Sequence, residues 1–385
     1  MLFLISILPG FLHLTVKGPN SPSFGLSDNL HSRVTPDLRI SVPSNVTSVK
    51  GDQRVQIYPF TQYGPNNQLL GTIQALSLCA VLSIGCLEPN FVPHFTDAAH
   101  DKSVPFSKLF ETGYTPFIPR SDEVIQLDYI ITTNIRSAPC WPRKRYWDNH
   151  GIKHFNYGEH PGRVIMLNRT KRSRLQMEHL VLETLQSISG TGREQNITIG
   201  YVYCDVFGRP EPDSPLLKPS FKSFSQLVVP SVHYQRLADA AMESLGLSSR
   251  TYAAIHLRLK DKCFESFANC CCGGHKGSGQ QLDAVELQKA VELLRSNMGL
   301  DSIFIASQPI FQNMTQHWTW FEKLGVKTWF ADATLGSFEE SIVQQLICSR
   351  AHVFVGSIDS TWSDTVRNWG SHDLISSSFS SLLKV

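Results

Sequence analysis

The chain has 385 residues, 42% of them hydrophobic and 18% charged, and a formal net charge of +2. That is room for two ordinary globular domains with extra segments, and the composition is well able to bury cores. The near-neutral balance excludes a nucleic-acid binder that works through bulk electrostatics. The basic patch Pro142–Tyr146, flanked by Trp141 and Trp147, reads as a solvated loop.

Met1–Val16 is apolar, lacks a basic start and is short for a membrane span, so residues 1–20 read as a signal peptide or the remnant of an anchor. Sequons at Asn45, Asn168, Asn196 and Asn313 fit the same secretory route, to the endoplasmic reticulum or Golgi lumen. Nine cysteines (79, 86, 140, 204, 263, 270, 271, 272 and 348) permit disulfides there, with one left over. Cys270–Cys272 is not at zinc-finger spacing. Residues 21–52, rich in Ser, Pro, Asn and Val, read as a linker or stem.

Arg54–Phe60 is the first predicted strand, followed by the turn cluster Gln62–Gln68 and by Leu69–Leu82, apolar nearly all round. A helix of that kind must be buried on most faces. Residues 85–94 read as a strand, Pro105–Phe110 as a short helix and Val124–Thr132 as an apolar strand. Arg172–Ile188 has leucines at helical spacing, and Ile197–Cys204 reads as a strand. The Pro- and Ser-rich segment 205–225 is expected to link two halves, with a helix near Tyr234–Leu245. These runs set an N-terminal domain at 53–235 and a C-terminal domain at 236–385.

Tyr252–Ile255 begins a more regular pattern as a buried strand running into His256, Arg258 and Asp261. A Cys/Gly-rich loop follows, 263–280, then a helix capped by Asp283 with Leu287, Val291, Leu294 and Met298 on one face and Gly299 closing it. Ile303–Ala306, Val326–Phe330 and His352–Gly356 read as strands; Phe311–Leu324, Glu339–Arg350 and Ser360–Trp369 read as helices. Such alternation predicts a doubly wound parallel sheet.

Three strand-to-helix turns carry anion-binding groups: Asn66, Asn67 and Gln68; His256 and Arg258; and Ser360 and Thr361. Ligands of open α/β sheets bind beyond the carboxyl ends of strands, and helix N-termini favour negative charge. A nucleotide diphosphate clamped between two Rossmann-like domains satisfies all three turns.

On these residues the chain resembles the GDP-fucose protein O-fucosyltransferase family. The family's Gly-rich Asn-Gln turn is matched by Gly64-Pro-Asn-Asn-Gln68, and its His-x-Arg-x-x-Asp element by His256, Arg258 and Asp261. Its strand-Gly element before Ser-Ser/Thr-aromatic is matched by Phe354–Gly356 and Ser360-Thr361-Trp362. Order and spacing agree over about 54–370. The resemblance implies an α/β protein of GT-B architecture, two Rossmann-like doubly wound domains facing a central cleft. It implies that Asn66, Asn67, Gln68, His256, Arg258, Asp261, Ser360, Thr361 and Trp362 hold the nucleotide sugar. It further implies inverting transfer of fucose from GDP-fucose to Ser/Thr hydroxyls of a secreted or membrane glycoprotein, by a monomer.

In that chemistry Arg258 is the catalytic residue, stabilising the charge that develops on GDP. No Asp-x-Asp pair occurs to hold a metal on the diphosphate, so metal-independent transfer without a cofactor is expected. The base for the acceptor proton stays open among the leaving phosphate, Glu88 and Asp97. Two rival readings are a GT-B fucosyltransferase acting on a glycan and a non-catalytic member that binds glycoprotein. The chain departs from the family pattern at three places: Ile305-Ala-Ser-Gln308 stands where Thr-Asp often ends the strand, Gly64-Pro65 replaces an Arg or Glu, and Gln344 replaces a carboxylate.

Overall fold

Alternating short apolar runs and amphipathic segments give two parallel sheets with helices between them. The computed structural model describes residues 55–59, 64–92, 103–111, 117–118, 124–132, 151, 153, 164–168, 172–189, 195–199, 213–257, 284–307, 321–330, 337–357, 360–371, 374–378 and 382. All of them belong to the unit Ser48–Val385; the other unit is Met1–Thr47.

The first part of the chain gives β1 (Val55–Tyr58), α1 (Pro65–Leu82), β2 (Gly85–Leu87), β3 (Asn90–Phe91), β4 (Val104–Pro105) and α2 (Phe106–Leu109). Then come β5 (Phe117–Ile118), β6 (Tyr129–Thr132), β7 (Val164–Met166), α3 (Arg174–Ser189), β8 (Gln195–Ile199) and α4 (Leu217–Leu227). Strands β5-β2-β1-β8-β6-β7 form a six-stranded sheet in that order. Every pair in it is parallel. β3 and β4 make a separate antiparallel pair.

The second part gives α5 (Val232–Ser244), β9 (Tyr252–His256), α6 (Ala284–Met298), β10 (Ser302–Ala306), β11 (Lys327–Thr328), α7 (Ser337–Ser349), β12 (Val353–Gly356), α8 (Thr361–Trp369) and β13 (Ile375–Ser378). Its sheet runs β11-β10-β9-β12-β13, again wholly parallel. β9 sits at the centre and is buried at all five positions, as its unbroken apolar run demands. Two parallel sheets of this kind, in sequence, are the predicted pair of Rossmann-like layers. The expected division at 235/236 falls inside α5.

Helix α1 is buried along most of its length, from Asn66 to Cys79, which accounts for a sequence without a polar face. It packs against α4 and touches α3 and α8. One continuous apolar cluster includes Val55 and Leu76 of the first part and Tyr252, Phe304 and Phe354 of the second. A second cluster, with Leu287, Val291 and Leu294 of α6, covers the other face of the five-stranded sheet. Burying each such side chain stabilises the fold by about 1.5–3 kcal/mol.

Segment 205–225 departs from the expected link: its end is helix α4, with Leu217, Phe221 and Phe224 buried. Pro219 is tolerated because it lies in the first turn, where an N–H has no helical partner. Ser223 and Ser225 satisfy their hydroxyls by donating to the carbonyls of Pro219 and Phe221, at 3.0 and 2.8 Å. The short strands β5, β7 and β13 were not legible, because two to four residues carry too little periodicity. Of the expected strand Val124–Thr132 only the last four residues pair regularly. The expected helix Phe311–Leu324 lies outside the described residues except for its last turn, 321–324.

Glu178, fully buried on α3, accepts hydrogen bonds from the amides of Asp213 and Ser214, at 3.0 and 2.6 Å, and from Arg174 Nε at 3.2 Å. It pins the entry to α4. The Tyr252 hydroxyl donates to the carbonyl of Ile347, and burial holds its phenol far above the usual value, with Cys348 adding to the shift. The described cysteines, Cys79, Cys86 and Cys348, are buried and free. Burial raises the thiols of Cys79 and Cys348, and contact with Cys86 raises Cys79 further. The Asn196 sequon lies in β8, paired on both sides, with the side-chain nitrogen donating to the carbonyl of Gln126 at 3.3 Å; Asn168 is exposed just past β7. No helix among the described residues is long and apolar enough to cross a membrane.

Candidate active site

The two sheets each deliver a helix start from beyond a carboxyl end, and the two starts meet. β1 leads into α1, where Gly64 caps the helix without a side-chain bond and Pro65 opens it. Proline suits that first position because its missing N–H would have had no partner. β12 ends at Gly356 and leads to α8, capped by Ser360 in an extended conformation. A Cβ at Gly356 would lie 3.0 Å from Ser363 Cβ and 3.0 Å from the Phe354 ring, so only glycine lets α8 close on the strand.

Side-chain hydrogen bonds join the two starts directly. Thr361 Oγ1 donates to Asn67 Oδ1 at 2.8 Å, and Gln345 Nε2 of α7 donates to Asn66 Oδ1 at 2.7 Å. Gln345 also reaches the carbonyl of Trp362 at 3.2 Å. The adjoining central strand β9 contributes His256, whose ring stacks on Trp362 with centroids 4.1 Å apart and planes 24° from parallel. His256 Nδ1 is 2.9 Å from Ser363 Oγ, and Ser357 donates its backbone N–H to the same oxygen at 3.1 Å. Trp362 is fixed in turn by its indole N–H, which donates to Ser341 Oγ at 2.9 Å.

Asn66, Asn67, His256, Ser360, Thr361 and Trp362 are thus brought together. Gln68 plays a different local part. Its Nε2 donates to the carbonyl of Val92 at 2.7 Å and its Oε1 accepts from the Val92 amide at 2.9 Å. Both ends of a fully buried amide hold the chain past β3, so Gln68 braces the site. Arg258 and Asp261 lie outside the described residues. Of the two carboxylates considered for the acceptor proton, Glu88 accepts from the Ser107 amide at 2.7 Å, in the first turn of α2; Asp97 is outside the described residues.

Three residues were missed from sequence: Ser341, Gln345 and Ser363. Each sits inside a helix with apolar neighbours, where a polar residue carries no local signal. Gln345 is nearly fully buried, and its partner lies 279 positions away. A cavity of about 10 Å³ walled by Pro65, Asn66, Phe91, Phe338 and Trp369 adjoins Gln345 and has room for about one water, far less than a nucleotide needs.

Chemically the arrangement is a meeting of two helix N-termini, two asparagines, two hydroxyls and a stacked imidazole. Helix starts and hydroxyls bind phosphate oxygens, and an oriented imidazole can donate to one. Placed beyond the carboxyl ends of β1, β9 and β12, they make a cradle for a negatively charged ligand shared by the two sheets.

Comparison with solved structures supports that architecture. The chain resembles the crystal structure of POFUT1 in its apo form, with a TM-score of 0.56 and 16% identity over 86% of this chain and 98% of that one. It resembles POFUT1 in complex with GDP at a TM-score of 0.57 and 14% identity, over 86% of this chain and 99% of that one. The complex with GDP-fucose gives 0.55 and 14%, with coverage of 86% and 99%. These likenesses establish the fold, that of GT-B fucosyltransferases. No individual curated protein matches the chain in sequence. The model of the GDP-fucose protein O-fucosyltransferase family matches residues 89–369, well over half of the chain. The match takes in the second and third of the three turns and begins after the first, and the chain belongs to the GDP-fucose protein O-fucosyltransferase family, a group of GDP-fucose-dependent glycosyltransferases.

Proposed function

We infer that the protein transfers fucose from GDP-fucose to Ser or Thr hydroxyls of a secretory-pathway glycoprotein, with inversion and without a metal. The observation that carries this reading is the joining of the two helix starts by Asn67–Thr361 and Asn66–Gln345 beside the stacked His256. A donor diphosphate entering there exchanges these internal bonds for bonds to its own oxygens. Arg258, two residues beyond His256 in the chain, is assigned the charge that builds on the β-phosphate as the glycosidic C–O bond breaks. A fixed guanidinium fork and helix amides supply the positive potential a divalent cation would otherwise provide.

In this reading residues 53–235 form the acceptor-side domain and 236–385 the GDP-fucose-binding domain. They follow a leader or anchor remnant at 1–20 and a stem at 21–52, and the protein works as a monomer in the endoplasmic reticulum or Golgi lumen. The deciding experiment is calorimetric titration with GDP-fucose, GDP-mannose and UDP-glucose in the presence of EDTA. Selective binding of GDP-fucose, followed by fucosyl transfer to folded glycoprotein domains under the same conditions, is expected. An absolute requirement for Mn²⁺, or equal binding of all three, would refute it.

A further inference from the structure

Entry of a donor exchanges hydrogen bonds where the two helix starts meet, and the two bonds there are not equally exchangeable. The bond from Thr361 reaches Asn67, which is half-buried. The bond from Gln345 to Asn66 joins residues only 1% and 6% exposed. It lies beside the small cavity walled by Phe91, Phe338 and Trp369. An apolar wall lowers the local dielectric and strengthens such a bond.

Chemistry separates the two bonds further. Phosphate oxygens accept hydrogen bonds, so they need donors. Thr361 has a hydroxyl, which can rotate its hydrogen from Asn67 to a ligand oxygen while its own oxygen stays in place. Asn66 turns its Oδ1 towards Gln345, and an acceptor oxygen offers a phosphate nothing. A neighbour fixes which atom faces which. Gln345 also meets the carbonyl of Trp362 at 3.2 Å, which can only accept, so Gln345 presents its nitrogen to both partners.

The two hydrogens of one amide nitrogen thus reach both helix starts. One goes to the first turn of α1 and the other to the first turn of α8. Helix α7, which carries Gln345, packs on α5 and α8. One turn earlier on α7, Ser341 accepts from the indole of Trp362 at 2.9 Å, so α7 grips Trp362 by its ring and by its backbone. His256 stacks on that ring. A planar group with a fixed angle between its hydrogens therefore sets the spacing between the start of α1 and the stacked Trp362 and His256.

We propose that Gln345 is a positioning residue for the donor diphosphate. Its bonds to Asn66 and Trp362 persist when the donor enters, and the exchange falls on Thr361. Asn66 acts through Gln345 and does not touch the ligand. The cradle is built before its ligand arrives, which spares the donor the cost of ordering it. This inference rests on the reading that the diphosphate of GDP-fucose lies at the joined helix starts.

Calorimetry with GDP and thermal melts on the full chain test it, using Gln345→Leu, Asn66→Leu and the double variant. Each single variant should weaken GDP about tenfold at unchanged binding stoichiometry. The double variant should bind no more weakly than either single one, because both changes remove the same link. Its melting temperature should recover towards that of the unmodified protein, since neither partner is left unpaired, while its GDP affinity stays low. A purely architectural Gln345 gives a different pattern, in which GDP affinity returns together with the melting temperature, and that result overturns the proposal. A loss of about a hundredfold in the double variant also overturns it, because Asn66 would then meet the donor by itself. Should Gln345→Leu not fold, Gln345→Met, unbranched like glutamine and without the amide, takes its place. If the unmodified protein binds no GDP, the donor reading falls and this inference with it. If it binds GDP and the folded Gln345 variant binds equally well, this inference alone falls.

Discussion

Arg258 carries the sharpest test at the level of single residues. If it meets charge that exists mainly in the transition state, Arg258→Ala should lower turnover on the order of a hundred- to a thousandfold while weakening GDP-fucose binding far less. Arg258→Lys should recover little, because a point charge does not reproduce the planar fork. Steady-state kinetics beside calorimetry on the same variants checks this, and undiminished transfer by folded Arg258→Ala would remove Arg258 from the chemistry. Other single residues show why sequence reading stops where it does. Asn66, Asn67, Ser360 and Thr361 were legible because turn chemistry marks helix starts. Gln68 stood in the same motif, yet its amide braces Val92. The backbone two dozen positions away decides the matter, and no local pattern encodes it.

At the scale of elements, periodicity located the long helices and the buried strands, and it failed on pieces of two to four residues. Helix α4 shows a further reason. Four prolines and four serines give segment 205–225 the composition of a linker, while Leu217, Phe221 and Phe224 at helical spacing give it a buried face. Burial outweighs composition because α1 offers α4 a long apolar surface. The start of α4 depends on one buried carboxylate, so Glu178→Ala should destabilise the protein by about 3 kcal/mol. Denaturant melts followed at the tryptophans would show it, with the loss concentrated where residues 213–227 leave α1. A change below about 0.5 kcal/mol would mean the two amides find water instead.

For the whole molecule, the order of strands and helices was enough to foresee two parallel sheets, because βα alternation admits few topologies. How the halves meet was not legible: Gln345 reaches Asn66 from a helix interior. Since one apolar cluster includes residues of both sheets, the halves should unfold together. Scanning calorimetry is expected to give a single transition with equal calorimetric and van't Hoff enthalpies, shifted upward by saturating GDP. Two resolved transitions, with only the later one moved by GDP, would show that the cluster does not couple the sheets.

The hydrogen bond between Thr361 and Asn67 joins positions 294 residues apart. A ribosome releases the first partner long before the second has been made, at roughly 5–20 residues per second. For that interval α1 has its buried surface and its asparagines but no opposing helix. The joining of the two helix starts is therefore a late product of synthesis. Any chain that stops short of α8, through premature termination or proteolysis, holds only one of the two helix starts.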